Sequence, residues 1–270
     1  RAIDDPTPIV VKQIFVIEST LAGLLKILFY NTGTNGYNHP THDIIGTGFG
    51  LGIPGTLMGA AFDASVDALP GATSTVLAVI EKPVKLGGDN GLLGGDLMMR
   101  RAFPIWKSGG LQFTCWQTPS TAGATVSFDE STKARPAGNS EDHRGVTRLT
   151  EEWVRNIVKI EFDRDITNLS GDDYAKVLTL EDRVALDDAG GEGKPITISA
   201  RNTYSQYVGT GAGVAELAPA FLASFTMFSR PIRRIRRSIS PKYYEGYAPG
   251  DIVLITDKFS RDPATGRRRI

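Results

Sequence analysis

The residues that most resemble a chemical site are the glycines of the segment GLGIPG at 50–55. Their spacing matches the fingerprint that binds the pyrophosphate of a dinucleotide between a strand and a helix. That fingerprint needs a buried strand before it and free backbone amides after it. Here the preceding strand-like run at 43–45 is short and is followed at once by Gly46, and Pro54 has no amide hydrogen to donate to a phosphate. We therefore interpret this stretch as a connector.

Histidine and cysteine offer little for a metal or a nucleophile. His39 and His42 could supply two metal ligands, but Pro40 imposes an extended backbone between them and only Asp43 lies nearby as a further ligand. The single cysteine, Cys115, lies in an alternating strand-like run, which predicts a buried structural thiol and excludes an internal disulfide. We predict no metal site and no cofactor.

Neighbouring carboxylates could act as general acid and base if burial raised the pKa of one partner. The available pairs are Asp163 with Asp165, Asp172 with Asp173, and Asp187 with Asp188. All of them lie in polar turns between predicted strands, so we interpret them as solvated and predict no catalytic residue. The alternative is a glycan or cell-wall hydrolase that holds sugar on a tryptophan, for which the candidates are Trp106, Trp116 and Trp153.

A basic run near the C-terminal end is the best candidate for a binding surface. Arginines followed by tyrosines suit contacts with a nucleic-acid backbone and stacking on bases. Arginine stems can also pack over a sheet while their guanidinium groups pair with acidic side chains. Two interpretations stay open, an interface with acidic groups or a lumen that faces DNA. The candidate residues are Arg233, Arg234, Arg236, Arg237 and Lys242.

The formal net charge of zero hides two opposed blocks. Residues 141–192 contain 14 acidic and 7 basic side chains, whereas residues 230–270 contain 11 basic and 4 acidic ones. Such blocks suit head-to-tail packing, in which the basic face of one copy meets the acidic face of the next. The alternative is that both blocks are solvated faces.

The elements that would position these residues follow from the hydrophobic pattern. In residues 1–118 it predicts a β-branched strand or lead-in at 9–17 and a helix from Leu21 that Ser19 or Thr20 caps. Further elements of this α/β region are short helices at 54–68 and 97–103, the latter closed by Pro104, and strands at 75–84 and 111–116. Glycine-rich loops connect them.

Residues 119–148 are rich in small polar residues and predict a long crossing between two regions. Residues 149–270 then form a β-rich domain with one amphipathic helix at 214–228, in which Leu217, Phe221 and Phe225 should pack onto the strands. Its predicted strands are at 156–164, 174–180, 194–200, 232–239 and 251–256. The fold class is α+β and β-rich, with barrel- or sandwich-like domains and a few packed helices.

The bulk composition is that of a globular protein. Of its 270 residues, 41% are hydrophobic and 22% are charged. The longest apolar run, around 21–30, is interrupted by Lys26 and is shorter than a bilayer requires, so we predict no membrane span. The sequence begins at Arg1 and ends at Ile270 within its pattern, from which we expect a fragment of a longer protein.

Two stretches resemble segments of baseplate hub or tail-tip proteins of tailed bacteriophages. The first is the helix with LLKIL at 24–28, followed by NTGTNGY at 31–37 and GFGLGIP at 48–54. The second is the helix at 217–228, the basic strand after it, APGDIVLITD at 248–257 and DPATG at 262–266. Turn and packing residues carry this resemblance, which covers the two ends of the chain best.

The resemblance implies a structural protein of the virion, located in the phage tail, rather than an enzyme. Hub proteins form a ring, commonly a trimer, beneath the tail tube and are built from β-barrel domains with α/β insertions. The implied partners are further copies of the chain, the tube, the tape-measure protein, and fibre or receptor-binding parts, with DNA passing non-specifically through the lumen. A receptor- or glycan-binding module of the same tail is an alternative.

Overall fold

The architecture was analysed in a computed structural model of the chain. It describes residues 15–30, 51, 53, 55–58, 61–80, 85–88, 91–107, 109–116, 126–128, 146–148, 154–168, 173–206, 222, 225, 228–230, 233–235 and 248–255. Helices and short strands are mixed along these ranges, and the strands form five small sheets. The predicted α+β class is confirmed, and none of the sheets closes into a barrel within the described ranges.

A buried helix forms the centre of the first half. Strand β1 (Phe15–Thr20) leads directly into helix α1 (Leu21–Tyr30), and the Thr20 Oγ1 accepts a hydrogen bond from the Gly23 amide at 3.0 Å, as predicted for an N-cap. All ten residues of α1 are buried. Strand β2 (Thr75–Ile80) pairs antiparallel with β1 across the entry to this helix.

The short helices differ from the sequence prediction. The helix predicted at 54–68 is divided into α2 (Gly55–Met58) and α3 (Ala61–Asp67). The helix predicted at 97–103 begins and ends earlier, because α4 spans Gly94–Met99. Pro104, which was predicted to close it, lies inside strand β3 (Ala102–Lys107). Among the described strands β3 pairs with β4 (Gly110–Cys115) alone, and an edge strand of this kind tolerates proline.

The predicted strands of the second half are confirmed at the start of that region. Strands β7 (Ile157–Arg164), β8 (Tyr174–Glu181) and β9 (Pro195–Ser199) form one sheet in the order β8–β7–β9. Strand β8 is antiparallel to β7 and β9 is parallel to it. The sequence analysis missed helix α5 (Arg183–Asp188), whose N-cap carboxylate, from Asp182, accepts a hydrogen bond from the Ala185 amide at 3.0 Å.

The C-terminal strands pair with the segment that was predicted to be a polar crossing. Strand β5 (Val126–Phe128) is parallel to β11 (Val253–Ile255), and β6 (Val146–Arg148) is antiparallel to β10 (Arg233–Ile235). The segment predicted to be a crossing, 119–148, therefore contains two three-residue strands that the sequence analysis missed. Short strands within long polar stretches give a weak signal because three residues show little alternation.

Buried apolar side chains form two clusters. The larger one surrounds α1 and contains residues of α3, β2 and β4. The ring centroids of Phe62 and Phe113 in this cluster lie 6.0 Å apart. The smaller one joins Met99, after which the chain enters β3, to Val158, Ile198 and Phe225. The predicted packing of Phe225 onto the strands is confirmed, while Leu217 and Phe221 lie outside the described residues.

The helices of the described ranges are all short. None of them has the length and apolar character that a bilayer span would require.

Candidate ligand-binding cavity

The glycine-rich stretch predicted to be a connector contacts the end of α1. The Leu51 amide donates a hydrogen bond to the Leu28 carbonyl at 2.7 Å, and the Ile53 amide donates to the Phe29 carbonyl at 3.1 Å. The last carbonyls of a helix have no partner within the helix, so these two amides satisfy them. They are therefore engaged with the helix, in agreement with the connector interpretation.

Of the first pair of carboxylates predicted to be solvated turn residues, Asp165 follows strand β7, whereas Asp163 lies within it and its side chain is only 17% exposed. Burial raises the pKa of Asp163, but hydrogen bonds from Ser205 and Lys176 more than offset this and hold its pKa below the usual value. Hydrogen bonds from the hydroxyl and amide of Thr167 lower the pKa of Asp165. Neither carboxylate can therefore donate a proton as a general acid at neutral pH.

Of the two remaining predicted pairs, Asp188 forms an ion pair and Asp173 forms a hydrogen bond. Asp188 lies 3.3 Å from the Arg230 guanidinium in a surface ion pair. Asp173 accepts a hydrogen bond from Asn168 at 2.9 Å, and Asp172 is outside the described ranges. Neither described partner shows the apolar burial that acid–base catalysis requires.

The contacts of Asp163 predict a pH dependence of stability. Because its pKa in the folded state lies below its unfolded value of 3.8, its stabilising effect is present above that value and is lost as the pH falls through the folded pKa. Asp163→Asn should lower the free energy of unfolding by about 1–3 kcal/mol at pH 7. Urea titrations should show this difference shrinking between about pH 5 and pH 2. Asp187→Asn, an exposed control, should give a curve parallel to wild type, and a pH-independent deficit in Asp163→Asn would contradict the assignment.

The residues considered for a metal site lie partly inside and partly outside the described ranges. The described part of the chain contains no group of three or more side chains that could hold a metal ion. His39 and His42 lie outside it. Cys115 is half-buried on β4, and burial raises the pKa of its thiol while the nearby Arg101 charge partly opposes that rise. These properties are typical of a structural thiol.

A sealed polar network joins α4 to the segment that follows β9. The Asp96 side chain is fully buried and accepts hydrogen bonds from the Asn202 amide at 3.2 Å, the Asn202 Nδ2 at 2.8 Å and the Thr203 hydroxyl at 2.7 Å. The Arg100 Nη1 donates to the Asp96 carbonyl at 2.8 Å. Burial raises the pKa of Asp96. Because no solvent reaches it, this carboxyl has a structural role.

Only two of the predicted basic residues can be placed. Arg233 and Arg234 lie on β10, opposite Arg148 and Thr147 of β6. The remaining three candidates, Arg236, Arg237 and Lys242, lie outside the described residues. The sequence analysis missed Arg148, because a three-residue strand in a polar segment gives no signal that it pairs with the basic run.

The feature best suited to bind a ligand is an apolar cavity of about 560 Å³. It lies where α4, the β3–β4 hairpin and the three-stranded sheet meet. Aliphatic residues of β7 and β9 line one side, namely Val158, Ile196 and Ile198. Aromatic side chains line much of the remainder, namely Phe103, Trp116, Phe225 and Phe228. Cavities of this size hold small organic ligands.

Glycine and a close aromatic pair shape the mouth and wall of this cavity. Gly88, which lines it, has φ +89°, a left-handed conformation that favours glycine. The Phe103 and Trp116 rings lie 4.8 Å apart with an interplanar angle of 32°. Trp116 is 49% exposed, so its ring can contact both the cavity and a ligand that enters from solvent.

The cavity does not have the composition of a glycan-hydrolase site. Its described lining contains the cations Arg101 and Arg155 and no carboxylate. Trp106 is 59% exposed, but on the β3–β4 ribbon it alternates to the face opposite Phe103 and therefore opposite Trp116. Trp153 lies outside the described ranges. The described residues therefore do not combine two tryptophans and two carboxylates in one site.

Comparison with known proteins adds no family to this description. No protein-family model matches the chain, and none of the curated proteins matches it. The fold and the cavity define a mixed α+β protein with an apolar site that contains a cation. Function must therefore be argued from these residues and from the distribution of charge.

Proposed function

We propose that the chain is a structural protein of a bacteriophage tail tip or baseplate hub, which acts in the virion by associating with copies of itself and with other tail proteins. One observation carries the proposal beyond the sequence resemblance: Arg233 stands directly opposite Arg148 in the β6–β10 register, with Arg234 next to it. Like charges at opposed positions disfavour an isolated strand pair. An anionic partner would offset the repulsion between the like charges of Arg233 and Arg148.

The acidic segment at 141–192 of a neighbouring copy is the proposed source of that anion. Within one chain Arg230, the first residue of the basic block, already pairs with Asp188 of the acidic block at 3.3 Å. Their side chains are 59% and 64% exposed, so this pair contributes little to stability and can exchange for an intermolecular one. DNA phosphates in a ring lumen are the second source consistent with the resemblance.

Short two-stranded sheets also favour association. In the β5–β11 and β6–β10 pairs, three residues of one strand pair with three of the other. Sheets of this size are only marginally stable without further strands or a packed face. Strands from neighbouring copies could extend them towards the barrel- or sandwich-like arrangement that the family resemblance implies. A ring of such copies, commonly a trimer in the hub proteins that the chain resembles, would place the basic strands close to one another.

Charge reversal tests this proposal. The double variant Arg234→Glu/Arg236→Glu should weaken self-association at least tenfold at low salt, because it places acidic groups against the acidic face of the neighbour. The measurement is light scattering of the purified chain across concentration, with electron microscopy to detect rings. The variant Lys85→Glu, which reverses an exposed cation outside both charged blocks, is the control and should associate like wild type.

Three results would count against the proposal. If the wild-type chain is folded by circular dichroism and stays monomeric at all concentrations, it does not self-associate. Virions that assemble normally with both arginines reversed would remove the role of the basic strand. Turnover of peptidoglycan, or specific retention on a glycan array, would instead favour the hydrolase or the receptor-binding alternative.

A further inference from the structure

The apolar cavity contains a cation that its own walls do not neutralise. Two nitrogens of Arg101, Nε and Nη1, are buried and have no hydrogen-bond partner among the residues that the structure describes. The same side chain lines the cavity. A buried donor without a partner destabilises a fold. The cavity therefore contains a group for which a bound anion would supply the missing acceptors.

The backbone of Arg101 is also strained. Its φ is +57°, in the left-handed region that residues with a side chain rarely adopt. The position is fixed on both sides, because its amide donates to the Met98 carbonyl at 2.9 Å and its carbonyl accepts from the Trp116 amide at 2.9 Å. Strain of this kind persists where the surroundings hold a residue in place and is concentrated at functional sites. Here it sets the position from which the Arg101 side chain enters the lining of the cavity.

We propose that this cavity binds a small carboxylate with an aromatic or branched aliphatic body. The body would pack against Trp116, Phe225 and the aliphatic side of the sheet, where apolar surface is already assembled. The carboxylate would accept hydrogen bonds from Arg101. A monoanion fits better than a dianion, because Arg155, the second cation of the lining, already donates from Nη1 to the Val154 carbonyl at 2.9 Å. This inference is independent of the proposed assembly role.

Calorimetric titration of the full chain with 1-naphthoate tests the proposal. The matched probes are 1-naphthalenemethanol, which is neutral, and 1-naphthyl phosphate, which is largely dianionic at pH 8. We expect naphthoate to bind at least tenfold more tightly than either. Arg101→Gln should reduce naphthoate affinity at least tenfold and leave the affinity for the alcohol unchanged. Arg183→Gln, which removes an exposed arginine outside the cavity, should bind naphthoate like wild type.

A second variant separates binding from folding. Arg101→Gly removes the guanidinium group and places glycine where φ is +57°, so it should unfold at the same temperature as wild type or a higher one. It should nevertheless lose naphthoate affinity at least tenfold. Equal binding of naphthoate by Arg101→Gly and wild type would overturn the proposal. So would equal affinity of wild type for the acid and the alcohol, or no heat of binding at 1 mM naphthoate, about the weak limit for such a site.

Discussion

Replacing Asp96 with alanine is expected to lower the free energy of unfolding by about 3–5 kcal/mol. The substitution removes the acceptor of the Asn202 amide and the Thr203 hydroxyl, and both donors are buried. It also removes a carboxyl next to the Arg100 guanidinium, which is fully buried as well. Each buried donor left without an acceptor costs about 1–3 kcal/mol, so the losses add to a large fraction of the stability of a domain.

Graded variants distinguish this network from a general effect of mutation. Thr203→Val removes one donor together with its need for an acceptor and should cost about 1 kcal/mol. Asp187→Ala, an exposed carboxylate on α5, should change stability by less than about 0.5 kcal/mol. Urea denaturation followed by circular dichroism measures all three variants. An Asp96→Ala loss below about 1 kcal/mol would show that the network does not hold α4 in place.

Elements defined by local chemistry could be predicted from the sequence. Thr20 caps α1 because its hydroxyl reaches the amide three residues later, an arrangement that depends on four consecutive residues alone. The strands at 157–164 and 174–181 follow from alternation over eight residues each. The connector interpretation of the stretch after α1 also rests on local features, namely Pro54 and the short run before it, and the described residues Leu51 and Ile53 bond the end of α1.

The site depends on contacts that local pattern does not encode. Asp96 and Asn202 are separated by 106 positions, and nothing near either residue indicates that they meet. Pro104 suggested the end of a helix, whereas the left-handed conformation of Arg101 ends the turn and starts a strand before the proline. The cavity combines residues from 87 to 228, so its composition becomes visible only after the hairpin and the sheet are placed together.

The same helix, α4, also contacts the sheet through a glycine without any side chain. A Cβ atom added to Gly95 would lie 1.8 Å from the Ser199 carbonyl oxygen and 2.5 Å from its carbon, which are backbone atoms of β9. Backbone atoms cannot move aside as the end of a flexible side chain can. The approach of α4 to β9 therefore requires glycine, and it positions Met98 and Arg101 at the cavity.

Gly95→Ala is accordingly expected to destabilise the protein by about 3 kcal/mol or more, since α4 must move away from β9 to admit one methyl group. That movement would separate Asp96 from Asn202 and open the cavity, so naphthoate binding should weaken in the same variant. Gly87→Ala is the matched control, because a Cβ there meets nothing within 4 Å. It should keep its stability; because Gly87 lines the cavity, this variant is a control for unfolding only. Thermal unfolding and calorimetric titration report the two effects, and a Gly95→Ala protein as stable as Gly87→Ala would contradict the close contact between helix and sheet.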